Sequence, residues 1–254
     1  MGDIVFTGHG ANVVGSLGSG SLVQDMPSAI DFDGVDDYVS VPNDASISLE
    51  NEATLAAWFK TSMAGDGMIF RKDNSYALKV YAGTVQWFLD NTSPGVNWTD
   101  TGITVNDDNW HHVALTYDTS DDIVIYVDGV SGSATAGAGT ITTTSHPLGI
   151  GAKSTVGYEG YYFDGYIRDA RIWSSGLTAL EIGQVYEDIG MEGGIADASL
   201  EGWWKMEEGS GISIADSSDN TNTGTLSSSA AAWDASVYNL NQIGSGSVSG
   251  AATI

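Results

Sequence analysis

The 254-residue chain contains no cysteine. Disulfides, zinc–thiolate centres and thiol catalysis are thereby excluded, while calcium sites, which need only oxygen ligands, stay open. Basic residues are scarce: eight Lys and Arg stand against 33 Asp and Glu, for a net charge of −25. A surface of that sign repels phosphate backbones and anionic membranes, so nucleic acid is not an expected partner. The excess charge serves solubility in a salty medium or the holding of divalent cations. A run of about 18 apolar residues is also missing, so no membrane insertion is expected. Met1 to Gly10 lacks a basic region and a continuous apolar stretch, and does not read as a signal peptide. The expectation is a soluble protein, extracellular or on a virion surface, either cut from a longer secreted protein or made as a virion part.

What the chain does have is short alternating strands. Its length suits one large all-β domain, or one with an added segment, and can bury roughly 70–75% of the unfolded surface. Asn109 to Gly129 carries the clearest signal. Val113, Leu115 and Tyr117 alternate with His112, Ala114 and Thr116; Ile123, Ile125 and Val127 alternate with Val124 and Tyr126. Period-2 alternation on both arms around Thr119-Ser120-Asp121-Asp122 predicts a hairpin. A single helix is expected near 178–189, opened by a Thr178/Glu181 capping box, with Leu177, Leu180, Ile182 and Val185 on its apolar face and Gly190 as its stop.

The wording of this hairpin resembles one in laminin-G-like and pentraxin-like domains of the concanavalin A-like jelly-roll superfamily. Three further segments extend the resemblance in the same order: Ile30 to Val39, with its Phe32-Asp33-Gly34 turn, then Ala53 to Lys60, then Phe163 to Trp173 followed by Leu177 to Ile182. The resemblance implies an all-β, two-sheet antiparallel jelly-roll sandwich over 29–190, with 1–28 as an N-terminal extension or edge strands. Leu200 to Gly211 and Ala215 to Asn220 resemble the family's opening strands, yet here they follow the helix. Trp233 resembles the tryptophan that normally precedes the Phe-Asp-Gly turn. Segment 191–240 is therefore expected to complete the same jelly roll in permuted order, hiding sheet edges that would otherwise pair with other chains. Completion of a neighbouring subunit and the start of a second repeat are the alternatives. Residues 241–254 read as a Gly/Ser-rich tail.

Candidate sites follow from residue type. Asp31, Asp33, Asp36 and Asp37 put four carboxylates around Gly34, and Asp216 and Asp219 lie in a second oxygen-rich loop. Calcium takes six to eight oxygens, so these six are the candidate metal ligands; the resemblance implies that the two loops lie close together. Val130 to Thr144, where a pentraxin carries further acidic ligands, holds no acid, which argues against a paired-calcium site. Sugar rings stack on aromatic faces beside polar groups. Trp98, Tyr158, Tyr161 and Tyr162 are the candidate ligand-binding residues, whereas Trp58, Trp110 and Trp173 sit in strand motifs and read as core. His111 and His112 point to opposite faces of one strand and cannot chelate one ion together. Glycosidases of this fold group would show a Glu-x-Asp-x-Glu strand aiming its acids into one cleft; the chain has none. The expected function is a non-catalytic, lectin-like recognition module for a glycan or cell-surface polysaccharide, stabilised by Ca2+. The alternative is a structural, decoration or adhesion protein of a virion or other extracellular assembly, partnered by itself or by other subunits.

Overall fold

The computed structural model describes residues 4–8, 11–15, 23–25, 29–90, 92, 98–119, 122–132, 134–157, 159–187, 197–227, 232–234 and 237–239. Two antiparallel sheets face each other. The eight-stranded sheet runs, in spatial order, Thr99–Thr104, Thr84–Leu89, Tyr76–Tyr81, Asp66–Lys72, Leu148–Ile150, Val39–Val41, Gly224–Leu226 and Ser213–Ile214. The nine-stranded sheet runs Val130–Ser131, Asp122–Val127, Trp110–Asp118, Glu52–Lys60, Asp164–Trp173, Ala29–Asp33 and Ala232–Asp234. Thr135–Ala136 adds beside Asp122–Val127, and Leu200–Trp204 adds beside Asp164–Trp173. This is a two-sheet jelly-roll sandwich. Outside it, Ile4–Gly8 pairs with Ala11–Gly15, and Val23–Asp25 with Val237–Asn239.

Strand alternation builds the core. Leu55, Ala57 and Phe59 meet Val113, Leu115 and Tyr117 from the next strand and Tyr76, Leu78, Val85 and Trp87 from the opposite sheet in one buried cluster. The 109–129 segment forms the expected hairpin, with Val113 opposite Val127 and Thr116 opposite Val124. The outer face of the nine-stranded sheet is buried as well. Ala56, Ala114, Tyr126 and Trp173 form a second cluster there with Leu177, Ile182 and Val185 of the helical segment.

The helix spans Ala179–Glu187, and 188–190 lie outside the described residues. Its capping box is reciprocal: Glu181 Oε2 accepts from the Thr178 N–H at 2.8 Å, while the Glu181 N–H donates to Thr178 Oγ1 at 3.4 Å. Thr54 Oγ1 donates to the Ser175 carbonyl and accepts from the Leu177 N–H, tying the lead-in to the sheet. Leu180 is a correction to the expected apolar face. It is 74% exposed, because at 3.6 residues per turn it lies about 140–160° round the helix from the buried Val185 and Ile182.

Segment 200–234 contributes to both sheets. Leu200–Trp204 pairs with Asp164–Trp173, Gly224–Leu226 with Val39–Val41, and Ala232–Asp234 with Ala29–Asp33. Trp204, Met206, Ile214 and Leu226 enter the main core, and Trp233 packs against it. No described helix is long and apolar enough to cross a membrane.

Candidate functional site

Alternation on the eight-stranded sheet sends Tyr76, Leu78 and Val80, with Val85, Trp87 and Leu89, into the core. The intervening Ala77, Lys79 and Tyr81, with Gln86 and Phe88, therefore line the outer face. Register sets them in rows: Met68, Lys79, Gln86 and Asp100 are cross-strand neighbours, as are Arg71, Ala77 and Phe88. Trp98 enters the last strand and lies over this face. Its ring centroid is 5.5 Å from that of Phe88, 4.0 Å from Lys79 Nζ and 5.6 Å from the Arg71 guanidinium carbon. Lys79 also pairs with Asp66 at 3.0 Å, and Gln86 donates to Asp100 at 3.2 Å.

The tyrosine loop borders the same face from the other side. The Tyr161 carbonyl accepts from the Met68 N–H at 2.9 Å, and Lys153 bridges to Gly160. Asp73 anchors the loop: Arg71 Nε lies 2.8 Å and Lys153 Nζ 3.2 Å from its carboxylate, and Thr155 donates to it. Burial alone would push the Asp73 carboxyl up, but the hydrogen bonds from Thr155 and Arg71 hold it below the usual carboxylate range. Tyr161 is exposed, with φ at 57°, a left-handed conformation uncommon for an aromatic residue. Tyr158 lies outside the described residues. The structure thus sets the Tyr161 backbone against Met68, in the row that passes through Lys79 beneath Trp98.

Beyond the tyrosine loop lies the acidic turn. Tyr162 and Tyr38 hold their ring centroids 6.4 Å apart. Burial and then the nearby Glu159 push both hydroxyls up, with Asp36 adding to the effect at Tyr162. Gly34 makes the turn at φ 75°, and a Cβ there would lie 3.0 Å from Asp164 Cβ. Asp33 Oδ1 accepts from the Val35 and Asp36 N–H groups. Ser227 Oγ, from the late segment, accepts from the Tyr38 N–H and donates to the Asp36 carbonyl, both at 2.9 Å. Asp33, Asp36 and Asp37 can each offer an oxygen within 4.8 Å of the others. Calcium–oxygen distances of about 2.3–2.6 Å span such a set, so three hard carboxylates at this spacing fit that ion. Asp37 is buried, and burial first, then Asp33, Asp36 and Asp31, raises its pKa. Asp31 sits two strand positions before Asp33 and pairs with Tyr166 of the Asp164–Trp173 strand.

Asp216 and Asp219 are not brought to that turn, against the expectation. Asp216 closes its own loop by accepting from the Trp203, Ser218 and Asn222 N–H groups at 2.7–2.9 Å and from Ser218 Oγ. Trp203 pairs with Arg171, whereas Asp33 pairs with Asp164 on the same strand. Seven residues at about 3.3 Å each separate the two loops by roughly 20 Å. Asp219 is exposed on the loop rim.

Trp58 and Trp173 are buried as expected, while Trp110 is only half-buried. His111 lies 2.8 Å from Asp128 and 3.0 Å from Asp107, and the Asp128 bond first of all raises its pKa. His112, on the opposite face, packs against the stacked pair of Trp58 and Tyr186, and its Nδ1 has no partner among the described residues. Burial pushes its pKa down to about 4. The unfolded chain therefore takes up a proton near pH 6.5, and the folded chain only near pH 4. Stability held above pH 6.5 is lost as pH falls through that window, on the order of 3 kcal/mol from this group. His112→Phe should flatten the loss of melting temperature between pH 6.5 and 4; parallel curves for the two proteins would refute the assignment.

Two parts of the site were not anticipated. Lys79 and Arg71 beneath Trp98 had a legible signal, because Lys79 interrupts the inward run of Tyr76, Leu78 and Val80. The Asp169–Arg171–Trp203 network on the other sheet had none, because it depends on a bulge between Arg168 and Arg171.

An antiparallel jelly roll with an acidic Phe-Asp-Gly turn and an aromatic sheet face defines a lectin-like class of domain. The family model Laminin_G_3, described as the concanavalin A-like lectin/glucanases superfamily, matches residues 33–183, more than half of the chain. The chain belongs to that family. Among solved structures, a Bacteroides ovatus protein provisionally described as carbohydrate-binding is similar, with TM-score 0.63 and 20% identity. The alignment covers 88% of this chain and 66% of that one. A heptameric pentraxin from Limulus polyphemus (TM-score 0.47, 17% identity, 63% of this chain and 82% of that one) and the LG1-3 region of the laminin alpha2 chain (0.47, 17%, 61% and 33%) are more distant. No curated protein matches the sequence.

Proposed function

We propose that the protein is a non-catalytic recognition module that binds a glycan on the outer face of its eight-stranded sheet. One observation carries this reading: Trp98 and the Tyr161 loop border a single face floored by Lys79, Gln86 and Phe88. An aromatic ring beside fixed polar groups suits the alternating apolar and hydroxylated surfaces of a sugar. Tyr161 and part of Trp98 reach solvent, with Lys79, Gln86 and Phe88 beneath at 5%, 8% and 8% exposure, and the protein is extracellular in this reading. Residues 29–190 and 191–240 act as one domain, with 241–254 as a tail. Screening on a glycan array should give ligands whose binding falls at least tenfold on Trp98→Ala, with the fold unchanged and no hydrolysis of the bound glycan. A blank array would shift the reading to a structural or decoration role in a virion or other assembly, and turnover would reject the non-catalytic part.

Calcium belongs to the same proposal as a stabiliser held by Asp33, Asp36 and Asp37, with Asp31 beside them. The ion would relieve the mutual repulsion that raises the Asp37 pKa. Binding to the folded state alone adds RT ln(1 + [L]/Kd), about 2.7 kcal/mol at a hundredfold excess over Kd. For a chain of this size that corresponds to a rise in Tm of about 5–10 °C. Melting in millimolar calcium is compared with melting in chelator, at matched ionic strength. Asp37→Asn should remove most of the difference. Equal midpoints in the parent protein would leave only screening of the net charge.

A further inference from the structure

We propose that this face carries a subsite for an acidic sugar, in which a uronate carboxylate is received at the Arg71–Lys153 end beside Trp98, without calcium. The proposal rests on the glycan reading above and adds the class of ligand. Only eight cations offset 33 acids in the whole chain, yet three of them, Arg71, Lys79 and Lys153, gather on this face, where Asp66 pairs with Lys79 and Asp100 lies beyond Gln86. Two of the three share one carboxylate. Arg71 and Lys153 both pair with Asp73, at 2.8 and 3.2 Å, and Thr155 draws further on the same group. Arg71 Nη1, itself buried, has no partner among the described residues, so a ligand carboxylate entering beside it would supply a missing acceptor. The two side chains stay partly open, 15% at Arg71 and 23% at Lys153.

Trp98 points to the same class of ligand. Lys79 Nζ lies 4.0 Å from its ring centroid and the Arg71 guanidinium carbon 5.6 Å. A ring is attracted to a cation through the negative charge of its π face. Two cations already against the ring make it a poorer host for a further cation and leave its surroundings better suited to negative charge. At the far end of the face the order reverses. Asp100 accepts from Gln86 and is suited to sugar hydroxyls rather than to a carboxylate. The polarity therefore fixes which end of a sugar ring lies where. The large negative charge elsewhere on the chain acts over distances that physiological salt screens, whereas these cations act within contact range.

The test uses the full chain in chelator with oligogalacturonate, oligomannuronate and oligoglucuronate, each beside its carboxyl-reduced counterpart. At least one acidic oligosaccharide should bind tenfold or more tighter than its reduced form. Arg71→Gln should bring the two forms to within about twofold. Lys153→Gln, which leaves the Arg71–Asp73 pair in place, should narrow the preference at least threefold, and covers the case in which Arg71→Gln fails to fold. Equal binding of acidic and reduced forms overturns the acidic subsite and leaves the glycan reading standing, as does binding of neutral array ligands with no uronate bound. Acid preference undiminished in two folded variants also overturns it. No binding to any oligosaccharide, here or on the array, removes both.

Discussion

A chain ended after residue 190 is expected to aggregate rather than fold. The missing part supplies Trp204, Met206, Ile214 and Leu226, each at most 2% exposed in the main core. Burying a large apolar side chain contributes roughly 1.5–3 kcal/mol. Four such losses come to about 6–12 kcal/mol, against a total stability of about 5–15 kcal/mol for a domain. The backbone loses as much. Without Leu200–Trp204 and Ala232–Asp234, the strands Asp164–Trp173 and Ala29–Asp33 become open edges, and loss of Gly224–Leu226 exposes Val39–Val41. Open edges with an uncovered apolar face beside them recruit other chains. Circular dichroism and light scattering on the truncated chain check this. A stable monomer with an unchanged midpoint would mark the late segment as a separate repeat. A folded monomer released from an oligomeric parent would mark it as exchanged between subunits. Trp204→Ala in the full chain is the milder control, expected to cost about 3–5 kcal/mol.

Much of this architecture was legible because alternation is a local signal. The inward positions of 113–117 and 123–127 follow from period 2, and so does the hairpin that sets Val113 opposite Val127. The capping box at Thr178 and Glu181 is likewise local, and it formed as its spacing implies. Leu180 shows where such patterns stop. Its apolar type and its spacing of three from Leu177 suggest the apolar side, but at 3.6 residues per turn it falls on the side away from Ile182 and Val185. Long-range placement was harder. The sequence distinguishes an acidic loop at 216–220 from one at 31–37, but not the roughly 20 Å between them, which depends on how far Leu200–Trp204 slides along Asp164–Trp173. Trp98 could be singled out as an exposed aromatic. That it rests on Lys79 beside Phe88 and Arg71 required the order of strands in the sheet, which no local pattern encodes.

Asp169→Ala should be the most damaging single polar substitution in the described part of the chain. Asp169 sits at the bulge of Asp164–Trp173 with φ at 51°. Its Oδ1 accepts from Arg171 Nε at 2.9 Å and from Trp203 Nε1 at 2.6 Å, and its Oδ2 from Arg171 Nη2 at 3.1 Å. The pair is nearly inaccessible to water, with side chains 5% and 2% exposed. The Arg171 guanidinium also lies 4.3 Å from the Trp203 ring, against which Lys205 packs at 4.4 Å. Removing the carboxylate takes away the acceptor of two Arg171 donors and of the indole N–H together. Breaking one partner of a buried pair costs about 3–5 kcal/mol, or a fall in Tm of about 6–20 °C for a chain of this size. Alanine at positive φ adds strain, which asparagine tolerates better. Asp169→Asn should therefore fall between the parent and Asp169→Ala. A buried ion pair replaced as a unit by apolar or neutral groups is often close to neutral. The double substitution Asp169→Asn with Arg171→Met should thus recover much of what Asp169→Asn loses. Denaturant melts of the parent, Asp169→Asn, Arg171→Met and the double variant give the coupling directly, and additive losses would mean that the two side chains stabilise the bulge independently and the pair is not what holds it.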